Sequence, residues 1–405
     1  MDLPVYQATA PSIPHIARRN TEHVARLEDD SGRAWATLRV RSNAHSSHQM
    51  PSFIGGDSVN GLIDLDLIKE DVIKGIEVSL LGETVPSDSQ GVPAGCDKFL
   101  DLHTTVWTST MNSLPTSSSG TIRNGKLLGQ ISWPFSFTLP ATVTVGRSKE
   151  TREYPLPPSF MENVGQLCIQ YEILVHIRRG KLRPDHKFSM SFAYVPLAQP
   201  GPPSLLRQLA YQGRTPLPGL GGDRDGWISL PNTTILGTIF TVRPVSATAV
   251  LSLALPLCYT RGTSIPCILS LTCSDPQALD LISSQTAPRV YLQRSAKFPM
   301  HTAVNREEMA VWWPRQAARI DDQVRILEGE IALPNNLKPT CSFKNFSIEY
   351  SVVMRPFEAI AFNPASPSNE TLLSHTVEIV TAYSTGPRPI SYRPSFAPPS
   401  YHSRV

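Results

Sequence analysis

The chain has 405 residues, 40% of them apolar and 18% charged, with 37 prolines and a formal net charge of +3. That length fits two domains of ordinary size rather than a single core. So small a net charge leaves no electrostatic footprint for nucleic acid, and many prolines with modest charge suit turn-rich β-sandwiches better than helix bundles.

Met1-Asp2-Leu3-Pro4 lacks the basic start and apolar run of a secretory leader. The longest apolar stretches, near 169–177 and 250–257, fall far short of the ~20 residues a membrane span needs. A cytoplasmic protein is expected. Residues 1–30 are polar and read as a flexible N-terminal segment, carrying Leu3-Pro4-Val5-Tyr6.

From Trp35 onward the pattern takes a period of two. Ile63, Leu65 and Leu67 form one apolar stripe; Ile76, Val78 and Leu80 form the next. Ile131, Trp133, Phe135, Phe137 and Leu139 follow, then Tyr171, Ile173, Val175 and Ile177, then Phe188, Met190, Phe192 and Tyr194. Strands with one buried and one wet face are the signature of an antiparallel sandwich, predicted over 31–197. Pro200-Gly201-Pro202-Pro203, a short helix near 204–211 and a glycine-proline stretch then read as an interdomain linker over 198–226.

A second sandwich is predicted over 227–384. Leu251, Leu253, Leu255 and Leu257 share a face, and a strand follows over Ser264–Cys273. There Cys267 and Cys273 fall on the same side as Ile265, Leu269 and Leu271, as core thiols rather than a redox pair. Asp275 and Pro276 open a short helix as N-cap and first helical residue. Further strands are expected at 289–294, 343–354 and 376–382. Between them, 299–326 reads mostly as loop, with Trp312-Trp313-Pro314 at a strand end.

No catalytic constellation emerges, and no enzyme, cofactor or metal is expected. Gly120-Thr121-Ile122-Arg123-Asn124-Gly125-Lys126-Leu127 approaches a phosphate-binding loop but has Leu127 where Ser or Thr must hold Mg²⁺, and a strand pattern follows it. His45 and His48 have no carboxylate or thiol nearby and read as solvated loop residues. The densest basic cluster is Arg178, Arg179, Lys181, Arg183, His186 and Lys187. Two readings stand: a solvated hairpin, or a contact for acidic lipid headgroups or an acidic cargo tail.

The chain closes on Pro398-Pro399-Ser400-Tyr401, a PPxY sequence within the proline-rich residues 385–405, which read as a disordered tail. Adjacent prolines hold a polyproline II helix before binding, so docking between the aromatic side chains of a WW domain costs little ordering entropy, and Tyr401 fills a second pocket. Two readings stand for Leu3, Pro4 and Tyr6: a weaker second ligand, with leucine in place of one proline, or an unstructured N-terminus of no consequence. Two ligands would raise avidity for a partner with several WW domains. Pro389-Ile390-Ser391-Tyr392 lacks the second proline and is discounted.

Several of these segments resemble a known family. Gly55-Gly56-Asp57-Ser58-Val59-Asn60-Gly61, then Ile73-Lys74-Gly75-Ile76-Glu77-Val78-Ser79-Leu80-Leu81-Gly82-Glu83, resemble the opening of an arrestin N-terminal domain. Trp133-Pro134-Phe135-Ser136-Phe137-Thr138-Leu139-Pro140, Leu156-Pro157-Pro158-Ser159-Phe160 and Ile169-Gln170-Tyr171-Glu172-Ile173-Leu174-Val175 continue it in order. Leu255-Pro256 and Tyr259-Thr260-Arg261-Gly262-Thr263-Ser264-Ile265-Pro266 are similar to the start of an arrestin C-terminal domain. Within that superfamily, PPxY tails mark the fungal-type α-arrestins, the arrestin-related trafficking adaptors.

The resemblance implies two tandem immunoglobulin-like β-sandwiches and an adaptor role. The body would dock on cytosolic tails of membrane transporters or receptors at the plasma membrane or endosomes, with peripheral membrane contact. The tail would hold a WW-domain HECT-type ubiquitin ligase, so that ubiquitin is placed on cargo for endocytosis. Lys181 and Lys187 are the expected acceptors should ubiquitin also be placed on the adaptor. No counterpart of the receptor-class buried ionic core is legible. The alternative is a constitutive vesicle-trafficking scaffold, like the arrestin-like retromer subunit, acting without a ligase.

Overall fold

The alternating stripes become strands. The structure is a computed structural model and describes residues 20–394 except 87–95, 112–113, 116–117, 124, 147–150, 163–166, 181–182, 300–301 and 316–321. The described residues form an all-β protein of two units, one of 20–197 with Ser342–Lys344 and the other of Ala198–Cys341 with 345–394.

In the N-terminal unit one sheet runs, in spatial order, through Thr21–Glu28, Ala34–Ser42, Ser58–Asp71, Lys126–Thr138 and Thr121–Arg123. The other runs through Ser52–Ile54, His186–Val195, Leu167–Arg179, Ile73–Pro86 and Asp97–Thr108. Register follows the apolar face. Ile63 lies opposite Trp133, and Leu65 opposite both Ile131 and Ala36. A slip by one residue would turn every one of these side chains to water. Trp107 and Trp133, one from each sheet, meet with ring centroids 6.1 Å apart, and both are buried. The near-miss phosphate loop is a hairpin, with Arg123 paired to Lys126 and no helix after it.

The C-terminal unit is one large curled sheet. Its strands run in the order Cys258–Thr260, Leu373–Val380, Phe346–Arg355, Arg289–Lys297, Thr302–Pro314, Val324–Ala332, Ser264–Cys273, Arg243–Ala254, Thr233–Ile239 and Phe362–Pro364. The curl comes from Thr302–Pro314, which pairs with Arg289–Lys297 along its first half and with Val324–Ala332 along its second. Most of that strand was expected to be loop. Only Ala310 and Trp312 in it are buried, and Asn305-Arg306-Glu307-Glu308 interrupts any stripe, so tertiary pairing rather than local pattern makes it a strand.

Cys267 and Cys273 are buried and free, beside Ile265, Leu269 and Leu271. The short helix spans Pro276–Ile282, and Asp275 accepts a hydrogen bond from the Ala278 N–H at 3.0 Å. The 250–257 stripe ends early, at Ala254, because Pro256 has no N–H to give the ladder. No helix among the described residues is long and apolar enough to cross a membrane.

Residues 198–226 are not a free linker. They carry helix α1 (Leu205–Gly213) and belong to the C-terminal unit. The reason is Arg207, only 3% exposed, which donates to the backbone carbonyls of Leu255 at 2.6 Å and of Gly226, and lies 5.2 Å over the Trp227 ring. The chain after Leu373–Val380 is also held. Ala382 N–H donates to the Ala198 carbonyl at 2.8 Å, and Thr260 Oγ1 donates to the Ala382 carbonyl at 2.8 Å.

Candidate functional site

The site begins with the Val324–Ala332 strand. Leu327, Gly329 and Ile331 face the core, where a Cβ on Gly329 would come within 2.4 Å of the Trp312 ring. Period two therefore places Glu330 on the opposite face, which in an ordinary half-buried strand is wet. Yet Glu330 is only 4% exposed. Residues 386–394, expected to be free tail, lie across it as a strap.

The strap is attached at a few points. Ser391 Oγ donates to Glu330 Oε2 at 2.6 Å, and the Tyr392 N–H donates to Oε1 at 2.7 Å. The Tyr392 ring stacks on Tyr211 of α1, with centroids 6.4 Å apart and planes 24° apart. Gly386, at a φ of +111° that side-chain-bearing residues rarely adopt, passes α1 where a Cβ would be 3.0 Å from Gln208 Oε1. Arg388 lies 4.8 Å over the Tyr383 ring. The tail reading failed here because proline-rich composition describes an isolated segment, whereas a carboxylate, an aromatic face and a helix supply these partners.

Burial governs the titration of this groove. It raises the Glu330 carboxyl above its ordinary range, and the hydrogen bonds from Ser391 and the Tyr392 N–H oppose it. Burial also pushes Tyr211 up to about 12 and lowers Arg207. Cavities flank the strap. One of about 500 Å³ is lined by Arg306, Glu308, Met309 and Ile390, among others, and one of about 750 Å³ by Trp313, Arg315 and Pro394, among others. The groove holds an extended peptide through hydrogen bonds to a carboxylate and one aromatic stack. Among the described residues no group of His, Cys, Asp or Glu could hold a metal ion, and His45 and His48 are exposed.

The basic hairpin lies between Leu167–Arg179 and His186–Val195. It is less basic than its sequence. Arg179 pairs with Asp71 at 3.2 Å, both side chains nearly buried, and its guanidinium sits 4.6 Å over the Trp35 ring. Arg183 reaches the other Asp71 oxygen at 3.0 Å, and Arg178 pairs with Glu77 at 3.1 Å. His186 meets the Trp35 ring edge-on at 5.3 Å, and burial lowers its pKa. All three arginines expected to meet an acidic partner are thus engaged by carboxylates of their own unit. Asp71 lies more than a hundred residues before Arg179, too far for local patterning to reveal the pairing. Lys187 is exposed.

Pro398, Pro399 and Tyr401, with Leu3, Pro4 and Tyr6 and the acceptor Lys181, lie outside the described residues. Ser391 and Tyr392 of the discounted Pro389-Ile390-Ser391-Tyr392 segment are occupied by Glu330 and Tyr211. Sequence reasoning missed Glu330, Tyr211, Arg207 and Asp71. The one signal that bore on them was a charged or polar residue beside a stripe, which normally means solvent.

Fold and groove define an all-β protein of two units whose C-terminal strap shuts a carboxylate away from water. No protein-family model matches the chain, and no curated protein matches it either.

Proposed function

We propose that the protein is a cytosolic adaptor that brings a WW-domain HECT-type ubiquitin ligase to membrane transporters or receptors for endocytosis. The observation that carries this reading is Pro398-Pro399-Ser400-Tyr401, beginning six residues after the anchored Tyr392. Six residues span at most about 20 Å, so a WW domain on the motif would be held beside the C-terminal unit. The effective concentration of a ligase tethered so closely is high.

The cargo-facing surface on this reading belongs to the β units, whose strands form the scaffold that positions the surface loops. A membrane contact at the basic hairpin rests on Lys187 and the largely exposed Arg183, since Arg178 and Arg179 already have partners. Lys187 remains a candidate ubiquitin acceptor.

The scaffold alternative differs in needing no ligase. Deletion of residues 395–405 separates the two, because it removes the motif and leaves the strap over Glu330; cutting at 386 would also uncover the groove. In a purified system with ubiquitin, ATP, the ubiquitin-activating and ubiquitin-conjugating enzymes and a HECT ligase bearing WW domains, the adaptor reading expects ubiquitin on the full chain and little on the chain lacking 395–405. Equal modification of both would leave the motif without a role.

A further inference from the structure

Ser391 is solvent-exposed, while the carboxylate that accepts its hydroxyl proton is among the least exposed acidic groups of the described chain. Arg388 stands three residues before it and Arg393 two after, both exposed. Its Oγ–H bond and the neighbouring Tyr392 N–H bond end on the same carboxylate, at 2.6 and 2.7 Å. A change at Ser391 that expels one therefore threatens both.

We propose that Ser391 is a phosphorylation site for a protein kinase that reads an arginine three residues ahead of its target, and that phosphorylation releases residues 386–394 from the groove. The reaction balances simply. The γ-phosphoryl group of ATP passes to Ser391 Oγ; the bond from phosphorus to the β-bridging oxygen breaks, one to the serine oxygen forms, ADP leaves and the hydroxyl proton passes to solvent. The ester oxygen has no hydrogen left to donate. In its place stands a group of charge about −2 directly against the Glu330 carboxylate, in surroundings where burial weakens screening.

The cations nearby are already engaged. Arg393 acts on the Glu330 carboxylate itself, and Arg306 and Arg393 share the cavity wall with Glu308 and with Glu307, which Arg294 pairs at 3.0 Å. The Arg306 guanidinium already lies 4.6 Å over the Tyr291 ring. Beyond this, the strap's hold is the Tyr392–Tyr211 stack and the passage of Gly386 along α1, neither of which offsets a like-charge contact. The inference needs no ligase and stands whether or not the PPxY reading does.

The test treats the full chain with ATP and the purified catalytic subunit of an arginine-directed serine kinase, then follows site occupancy by peptide mass spectrometry and strap docking by amide hydrogen exchange. We expect phosphate on Ser391 and at least ~10-fold faster exchange of the Tyr392 amide, which reports the local opening equilibrium. Ser391→Glu, which needs no kinase, should exchange faster in the same way. Glu330→Gln removes the opposing charge, so phosphorylation in that background should change exchange by less than ~3-fold. No phosphate at Ser391, or a phosphorylated chain whose Tyr392 amide stays protected, overturns the proposal. So does an undiminished release in Glu330→Gln.

Discussion

The backbone N–H of Tyr392 donates to Glu330 Oε1 at 2.7 Å, and with this bond a carboxylate on the outer face of a strand becomes part of the interior. Glu330→Ala removes the acceptor for both this bond and the one from Ser391. Hydrogen bonds to charged groups contribute about 1.5–3 kcal/mol each, and about 1.4 kcal/mol is tenfold in an equilibrium. Chymotrypsin should then cut after Tyr392 at least ~10 times faster than in the native chain. A cleavage rate unchanged by the substitution would mean that the strap is held elsewhere.

The same carboxyl predicts a pH dependence. Its folded pKa is raised by burial, so the native state holds this proton more tightly than the unfolded chain. Its stabilising contribution is full below the unfolded value, near 4.5, and is lost as pH rises through the raised folded value. Glu330→Gln does not titrate. The difference in Tm, Glu330→Gln minus native, should therefore grow as pH rises from about 4.5 through the raised folded value, and level off above it. A flat difference would place Glu330 in water.

Arg207 ties residues 198–226 to the sheet, so its removal should act as a core mutation. Arg207→Ala leaves the Leu255 carbonyl without its donor, at about 1–3 kcal/mol for a buried group left unsatisfied; the Gly226 carbonyl keeps the Leu255 N–H at 2.8 Å, but the packing of the buried side chain over Trp227 is lost as well. We expect a loss of about 3 kcal/mol in chemical unfolding. Arg207→Lys should recover only part of it, because an ammonium lacks the fork that serves two carbonyls and the flat face that stacks on Trp227.

Asp71 and Glu77 should separate a structural ion pair from a surface one. Asp71→Ala leaves the nearly buried Arg179 without its partner and should cost about 3 kcal/mol. Glu77→Ala breaks a half-exposed pair with Arg178 and should cost under about 1 kcal/mol. Reversing Arg179 would thus confound any lipid assay with unfolding, whereas Lys187→Glu asks the membrane question cleanly. If anionic liposomes bind Lys187→Glu as well as the native chain, the hairpin is structural.

The turn joining Thr233–Ile239 to Arg243–Ala254 gives a simpler stability test. Its central residues Phe240 and Thr241 have φ of 52° and 66°, the left-handed form that Asn-Gly supplies without strain. Phe240→Asn with Thr241→Gly should raise stability by about 1–2 kcal/mol in thermal unfolding.

The strands were legible where one face meets the core. Ile63 with Leu65, and Ile131 through Phe137, announce themselves because burial on one side and water on the other write a period of two. Legibility failed where the second face is also covered. Glu330 alternates with Leu327 and Ile331 as a wet residue should, and nothing local says that a segment some sixty residues later will cover it. Arg207 and Asp71 failed alike, since a charge beside a turn reads as solvated until its distant partner is known. Thr302–Pro314 is a strand by virtue of the neighbours it joins, not by its own pattern.

The central claim is that the chain offers its terminal PPxY sequence to a WW domain, and titration of a purified WW domain against the full chain and its Tyr401→Ala variant tests it most directly. The account predicts saturable binding to the native chain and a loss of at least ~10-fold in affinity when the pocket-filling ring is removed. Equal binding to both proteins, or none to either, would contradict it.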